Sequence, residues 1–267
     1  MKAMERLTRR PALFPPWVVL HVPHDAITIP TDVRGQFLLT DVELREELRR
    51  MTDHFTHALF AGPEAADSIV RAPVSRLVVD VERFPDDADE PMAARGMGAI
   101  YEVTSRLVPL RRKLTAAERE TLLATYYRPH HAHLELVVSQ ALERFGRCLV
   151  LDCHSFPSVA LPYEQANPTS ARPDICIGTD EFHTNAKLAG AFLSAFQPTG
   201  WQVSLNAPFA GALVPASRYR KDDRVQSVMI EVNRRLYLHE PVATLQSDFA
   251  QTAQVIRQVC CDALMVI

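Results

Sequence analysis

No stretch of this sequence comes near the roughly 20 consecutive apolar residues that a membrane-spanning helix needs, so no membrane partner is expected. Positive charge is not in surplus either: 29 Lys and Arg stand against 32 Asp and Glu, a net charge of -3. Without a basic field nothing holds a phosphate backbone, which argues against nucleic acid as a partner. Lysine is scarce, occurring only at Lys2, Lys113, Lys187 and Lys221. The cations are therefore mainly arginines, whose planar fork suits two-pronged recognition of carboxylates. The cysteines (Cys148, Cys153, Cys176, Cys260 and Cys261) form an odd set within apolar runs. That pattern implies buried thiols in a reducing, cytoplasmic setting rather than a disulfide framework. The basic start, MKAMERLTRRPALFPPWVVLHV, has a short apolar run broken by Pro15 and Pro16 and makes a poor signal peptide. Also missing are a G-x-S-x-G nucleophile elbow, a G-x-x-x-x-G-K-S/T phosphate loop, a G-x-G-x-x-G after the first strand, and any C-x-x-C. Serine-hydrolase, nucleotide-dependent and thiolate-zinc chemistries lose their support with them.

What is present is enough apolar residue, 47% of 267, to build a sizeable core in a single domain spanning residues 1–267. Short β-branched runs alternate with stretches of helical period, the pattern of an α/β fold with a mixed, mostly parallel central sheet flanked by helices. Strands are expected at 17–22, 68–72, 76–81, 147–153, 174–179, 201–205 and 227–232. Helices are expected over roughly 41–60, 115–126, 129–145, 184–197 and 241–264. Thr40 with Glu43 and Thr115 with Glu118 have the spacing of capping boxes. Pro129 suits the first turn of its helix, where its missing N–H has no partner to lose. The long polar segments 81–113 and 154–174 leave the carboxyl ends of strands, where parallel sheets place their sites.

Four strand ends carry chemistry. In VPHDAITIP, His24 and Asp25 follow the first strand, and a histidine there is rigidly aimed for metal ligation; a loop histidine satisfied by its own backbone is the plainer alternative. In LVLDCHSFPS, alternation puts Asp152 and His154 on one side and Cys153 on the other. A strand-end histidine beside a carboxylate is the arrangement of a metal ligand with its orienting partner, and it speaks against a Cys153–His154 nucleophile pair. In SVMIEVNRRLYL, Glu231 lies in a run too apolar to expose it. A buried carboxylate must be paired, ligate a metal or carry a raised pKa; a Glu–Arg ion pair competes with those readings, and Asn233 shares its face. In RLVVDVERFPDD, read as a strand, Asp80 and Glu82 share a face, and Arg83 is placed either to grip a substrate carboxylate or to neutralise Asp86 and Asp87. The run YYRPHHAHLE holds His130, His131 and His133 without the H-x-x-x-H spacing of a zincin. One of the three is expected to reach the site.

Together these stretches, with DVERFPDDADEPMAARGMGAIY, LPYE, RPDICIGTDEFHT and PFAGALVP, resemble the N-formylglutamate amidohydrolase family in order from about residue 20 to 240. The resemblance implies a phosphorylase/hydrolase-like α/β fold akin to the zinc metallocarboxypeptidases. It further implies metal-dependent hydrolysis of N-formyl-L-glutamate to formate and L-glutamate, in histidine degradation. By the same likeness His24 and His154 would ligate Zn2+, Glu231 would be the general base and Arg83 would hold the substrate carboxylate. Ile27 stands where the carboxypeptidase H-x-x-E has its glutamate, so the third ligand must come from elsewhere, with Glu82, His131 and Asp25 as choices. A dicarboxylate substrate calls for a second cation, from Arg95, Arg128, Arg172 or Arg218. Rival readings are a zinc hydrolase of another N-acyl amino acid or a C-terminal peptide bond, a non-catalytic amino-acid or metal sensor, and a cysteine amidase.

Overall fold

Strands buried on both faces read as continuous apolar runs, and such runs build the centre of the molecule. The structure, a computed structural model, describes residues 14–61, 68–164 and 171–267; the run before Phe14, part of the signal-peptide reading, lies outside them. Strands β1 (Val18–Val22), β2 (Ile69–Arg71), β3 (Cys148–Phe156), β4 (Ile175–Gly178), β5 (Val203–Leu205) and β6 (Val225–Asn233) form one sheet in the order β2-β1-β3-β6-β4-β5. β2, β1, β3 and β6 run parallel, β4 pairs with β6 antiparallel, and β5 follows β4. This is the mixed, mostly parallel α/β sheet expected. A small hairpin of β7 (Leu238–His239) and β8 (Thr244–Leu245) stands apart.

Helices α1 (Asp41–Met51) and α3 (Ala116–Leu122) each begin with the full capping box foreseen. α4 (Arg128–Phe145) covers one face of the sheet, packing Leu134, Val138 and Leu142 against Val19, Val70 and Val150. The other face is covered by α2 (Thr56–Phe60), α5 (Ala186–Phe196) and α6 (Phe249–Leu264), around Leu20, Leu151, Ile230 and Phe192. A further cluster, centred on Leu77, Val79, Ile100 and Tyr101, forms under the long 81–113 segment. Among the described residues no helix is long and apolar enough to cross a membrane.

Several elements differ from the sequence-based expectation. The run 76–81 is not a strand but a buried turn: Val78 N bonds to Ser75 O (2.8 Å) and Asp80 N to Ala99 O (2.8 Å). The Arg111 guanidinium bonds to the carbonyls of Leu77 and Val78, replacing a neighbouring strand. Asp80 and Glu82 therefore owe nothing to strand alternation. The expected 41–60 helix breaks at 52–55, where Phe55 is left-handed (φ 63) and Asp53 N bonds to His24 O (3.0 Å). The expected 115–126 and 129–145 helices are joined by a π turn, Leu123–Tyr127; Pro129, with no N–H to close an α turn, sits just after this wider one. The last helix starts at Phe249 because residues 241–245 belong to the hairpin region instead.

Candidate active site

Because β1, β3 and β6 are parallel, their carboxyl ends open at one edge. His24 follows β1, while His154 on β3 and Glu231 on β6 are paired in register. The sheet face under α4 carries His21, Asp152, His154 and Glu231, whereas Cys153 points into the opposite, apolar core.

The two site histidines are held alike. His24 Nε2 bonds to Asp80 Oδ1 (2.8 Å) and His154 Nε2 to Asp152 Oδ1 (3.0 Å). That leaves both Nδ1 atoms facing one carboxylate oxygen, Asp53 Oδ2, at 3.7 Å for His24 and 3.2 Å for His154. His24 Nδ1 is buried and has no hydrogen-bond partner. These three donor atoms lie within 4.8 Å of one another. Two imidazole nitrogens and a carboxylate, with a carboxylate behind each imidazole, form a donor set that fits zinc. Asp53 completes the set, supplied by the break between α1 and α2. Its Oδ1 accepts from Arg234 Nη2 (3.1 Å) and its Oδ2 from Ser155 N (3.2 Å).

None of the third-ligand choices made from the sequence joins this donor set, although Glu82 and His131 line the same cavity. Glu82 Oε1 is 3.1 Å from His21 Nδ1 and 4.0 Å from His154 Nε2, in a neighbouring cluster with Asp152. His131 Nε2 donates to Val81 O (2.9 Å). Asp25 pairs with Arg71 Nε (2.7 Å), in a separate groove. His21, not foreseen, bonds through Nδ1 to Asp152 (2.8 Å) and through Nε2 to His130 Nε2 (2.9 Å).

Electrostatics follow from this packing. Burial works against the His21 charge, but hydrogen bonds to Asp152 and Glu82 win and raise it to about 9. Burial and then the His21 charge lower His130 to about 2. Burial opposes ionisation of Asp80, yet the Arg76 guanidinium holds it well below the usual range; Arg76 Nη2 and the Tyr101 hydroxyl both donate to its Oδ2. Glu231, 8% exposed, has an Oε2 without a partner, and burial pushes its carboxyl up to about 8.

His24, Asp53, His154 and Glu231 line a cavity of about 1140 Å³, with Arg83 and Arg95 among its other walls. Arg83 lies 3.8 Å from both Asp80 and Glu90, and its buried Nε has no hydrogen-bond partner. Arg95 sits at the exposed rim, with one contact to Tyr163 O (3.3 Å). The other arginines named from sequence do not line the cavity. Arg128 pairs with Glu120, Arg218 with Glu135 and Asp222, and Arg172 with Glu164 while stacked on Phe156 and Phe209. Asn233 is structural, accepting from Arg235 N and donating to Pro173 O. Arg50, Arg76 and Arg234 line the cavity instead. All five cysteines are buried and none lines the cavity, against a cysteine amidase.

A family model described as N-formylglutamate amidohydrolase matches residues 17–238. The chain belongs to the N-formylglutamate amidohydrolase family. It is 26% identical, over 258 residues, to the N-formylglutamate deformylase of Pseudomonas putida, covering 93% of this chain and 92% of that protein. Among solved structures it is similar to the N-formylglutamate amidohydrolase of Ralstonia eutropha, with a TM-score of 0.81 and 25% identity over 96% of each chain. A gene product of Agrobacterium tumefaciens shares the fold, at TM-score 0.66 and 20% identity over 93% of this chain and 90% of that one.

Proposed function

We propose that this chain is a cytoplasmic, zinc-dependent deformylase that hydrolyses N-formyl-L-glutamate to formate and L-glutamate. The observation that carries the reading is Glu231. Its unpartnered, buried carboxyl stands beside His154 in the cavity that also holds the two-histidine, one-aspartate donor set.

His24 Nδ1, His154 Nδ1 and Asp53 Oδ2 would hold the ion. When bound there, a zinc ion supplies Lewis acidity, polarising a carbonyl and acidifying water. Asp80 and Asp152 fix the two imidazole rings, so that the lone pair of each Nδ1 points inward. Glu231, in its ionised form, takes the proton of the water that attacks the formyl carbon. It then delivers that proton to the departing amine nitrogen of glutamate. A carboxyl lifted to about 8 is a stronger base than a surface glutamate and hands its proton on within the physiological range. Arg83, whose guanidinium has no tight ion pair, grips one substrate carboxylate, and Arg95 at the rim meets the other.

The test is formate release from N-formyl-L-glutamate by purified protein, before and after exhaustive chelation, beside a panel of N-acetyl amino acids and C-terminal peptides. Formate release that disappears on chelation and returns with zinc supports the reading. Full activity in metal-free protein removes the ion from it, and acetate or amino-acid release from the panel reassigns the substrate.

A further inference from the structure

Arg83 follows a run that has no place in the sheet, so no strand ladder fixes where its guanidinium points. The turn that carries it is gripped from one helical segment instead. The Tyr127 hydroxyl donates to Arg83 O (2.9 Å), and His131 Nε2 donates to Val81 O (2.9 Å). These two donors are four residues apart, on one face of the helical segment, with ring centroids 4.2 Å apart. From the other side Asp80 Oδ1 accepts from Glu82 N (2.9 Å) while holding His24 Nε2 (2.8 Å). The segment Val81–Arg83 is thus pinned at both flanking carbonyls and at the amide between them.

The π turn Leu123–Tyr127 ends at this grip. Such turns insert a residue, rotate the helix face and recur at functional sites. Here the wide turn lets Leu122 and Leu123 enter the core under the 81–113 segment while Tyr127 and His131 meet the Arg83 turn and line the cavity.

We propose that Tyr127 and His131 are positioning residues for the carboxylate end of the substrate, acting by fixing the turn that aims Arg83. The inference rests on the assignment of Arg83 made above. Neither side chain needs to touch substrate, and neither contacts the proposed metal ligands. Their loss should therefore weaken ground-state binding and leave the chemical step alone.

The experiment is a mutant cycle on the holoenzyme. Tyr127→Phe keeps the ring stack on His131 and removes only the donor. It should raise KM for N-formyl-L-glutamate about fivefold to tenfold, the size expected for one buried hydrogen bond. It should hold kcat within about twofold and leave bound zinc unchanged, and the inhibition constant of glutarate should rise in parallel. In an Arg83→Lys background, Tyr127→Phe should add nothing to KM. His131→Gln, which keeps a donor for Val81 O, should stay near native, whereas His131→Leu should raise KM. A native KM in both Tyr127→Phe and His131→Leu overturns the proposal. So does an equal rise in KM with and without Arg83. If Arg83→Lys alone leaves KM and glutarate inhibition unchanged, the carboxylate assignment itself has failed and the proposal falls with it. Should Tyr127→Phe not fold, the His131 pair decides.

Discussion

Asparagine at position 53 keeps the size of the side chain and removes its charge. Asp53 Oδ1 accepts from Arg234 Nη2, and its Oδ2 faces both histidine Nδ1 atoms. Both partners of the Asp53–Arg234 pair are almost wholly buried. Removing one charge of such a pair costs about 3–5 kcal/mol, and an asparagine oxygen still accepting from Arg234 recovers part of it, leaving about 2–3 kcal/mol. For a chain of this size that is a fall in Tm of roughly 4–12 °C in metal-free protein. On the proposed zinc reading, the ion at about a hundredfold excess over its Kd should stabilise the native fold by about 2.7 kcal/mol. That corresponds to a rise in Tm of roughly 5–11 °C. The Asp53→Asn variant should lose this rise at the same zinc concentration, along with formate release. Scanning calorimetry of chelator-treated protein, with and without zinc, reads both effects. A variant with the native zinc response and native turnover refutes Asp53 as a ligand. A native metal-free Tm refutes the ion-pair estimate.

Glu231→Gln should lower kcat by at least about 10²-fold while the zinc-dependent rise in Tm persists; normal turnover would move the base to another residue. The same variant reports on pH. Between the ordinary value of 4.5 and about 8, native Glu231 keeps a proton that the unfolded chain has released, so metal-free stability falls as pH rises through that window. The denaturation free energy of native protein relative to Glu231→Gln should therefore drop between about pH 5 and pH 9, on the order of a few kcal/mol. A flat difference contradicts the burial argument. Asp80→Asn removes the anion behind His24 and should weaken zinc binding about 10–100-fold in a chelator competition, with kcat near native at saturating zinc. Iodoacetamide on the folded protein should leave formate release intact, because burial pushes the Cys148 thiol up to about 12 and that of Cys153 well above its ordinary value.

His24, His154 and Glu231 could be read as a set because each ends an apolar run, and parallel strands bring such ends to one edge. Asp53 could not. Its helical period continues through TDHFTH, and the break there comes from a tertiary bond, Asp53 N to His24 O, between residues 29 positions apart. The run RLVVDV reads as a strand because a buried turn and a buried strand have the same composition. What separates them is Arg111, more than 30 residues downstream, which satisfies the carbonyls a neighbouring strand would take. The arginines failed for a similar reason. Arg128, Arg172 and Arg218 look like any other cation in sequence, and only the fold shows that Glu120, Glu164 and Glu135 already occupy them.

The reversal of β4 accounts for the state of Glu231. Had β4 run parallel to β6, its carboxyl end and the polar loop after it would open beside Glu231. Running antiparallel, it brings its amino end to that edge instead and sets Cys176 directly across from Glu231. Cys176 is uncharged and turned to Phe209 O (3.2 Å), so the neighbouring strand offers Glu231 neither a cation nor a strong donor. The segment entering β4 closes the wall further, since Asn233 Nδ2 holds Pro173 O and Arg172 is committed to Glu164. A carboxyl walled in this way loses water without gaining a partner, which is the physical cause of its raised pKa. One antiparallel pairing in an otherwise parallel half-sheet thus turns a strand-end glutamate from a structural ion-pair partner into a group able to take and return a proton.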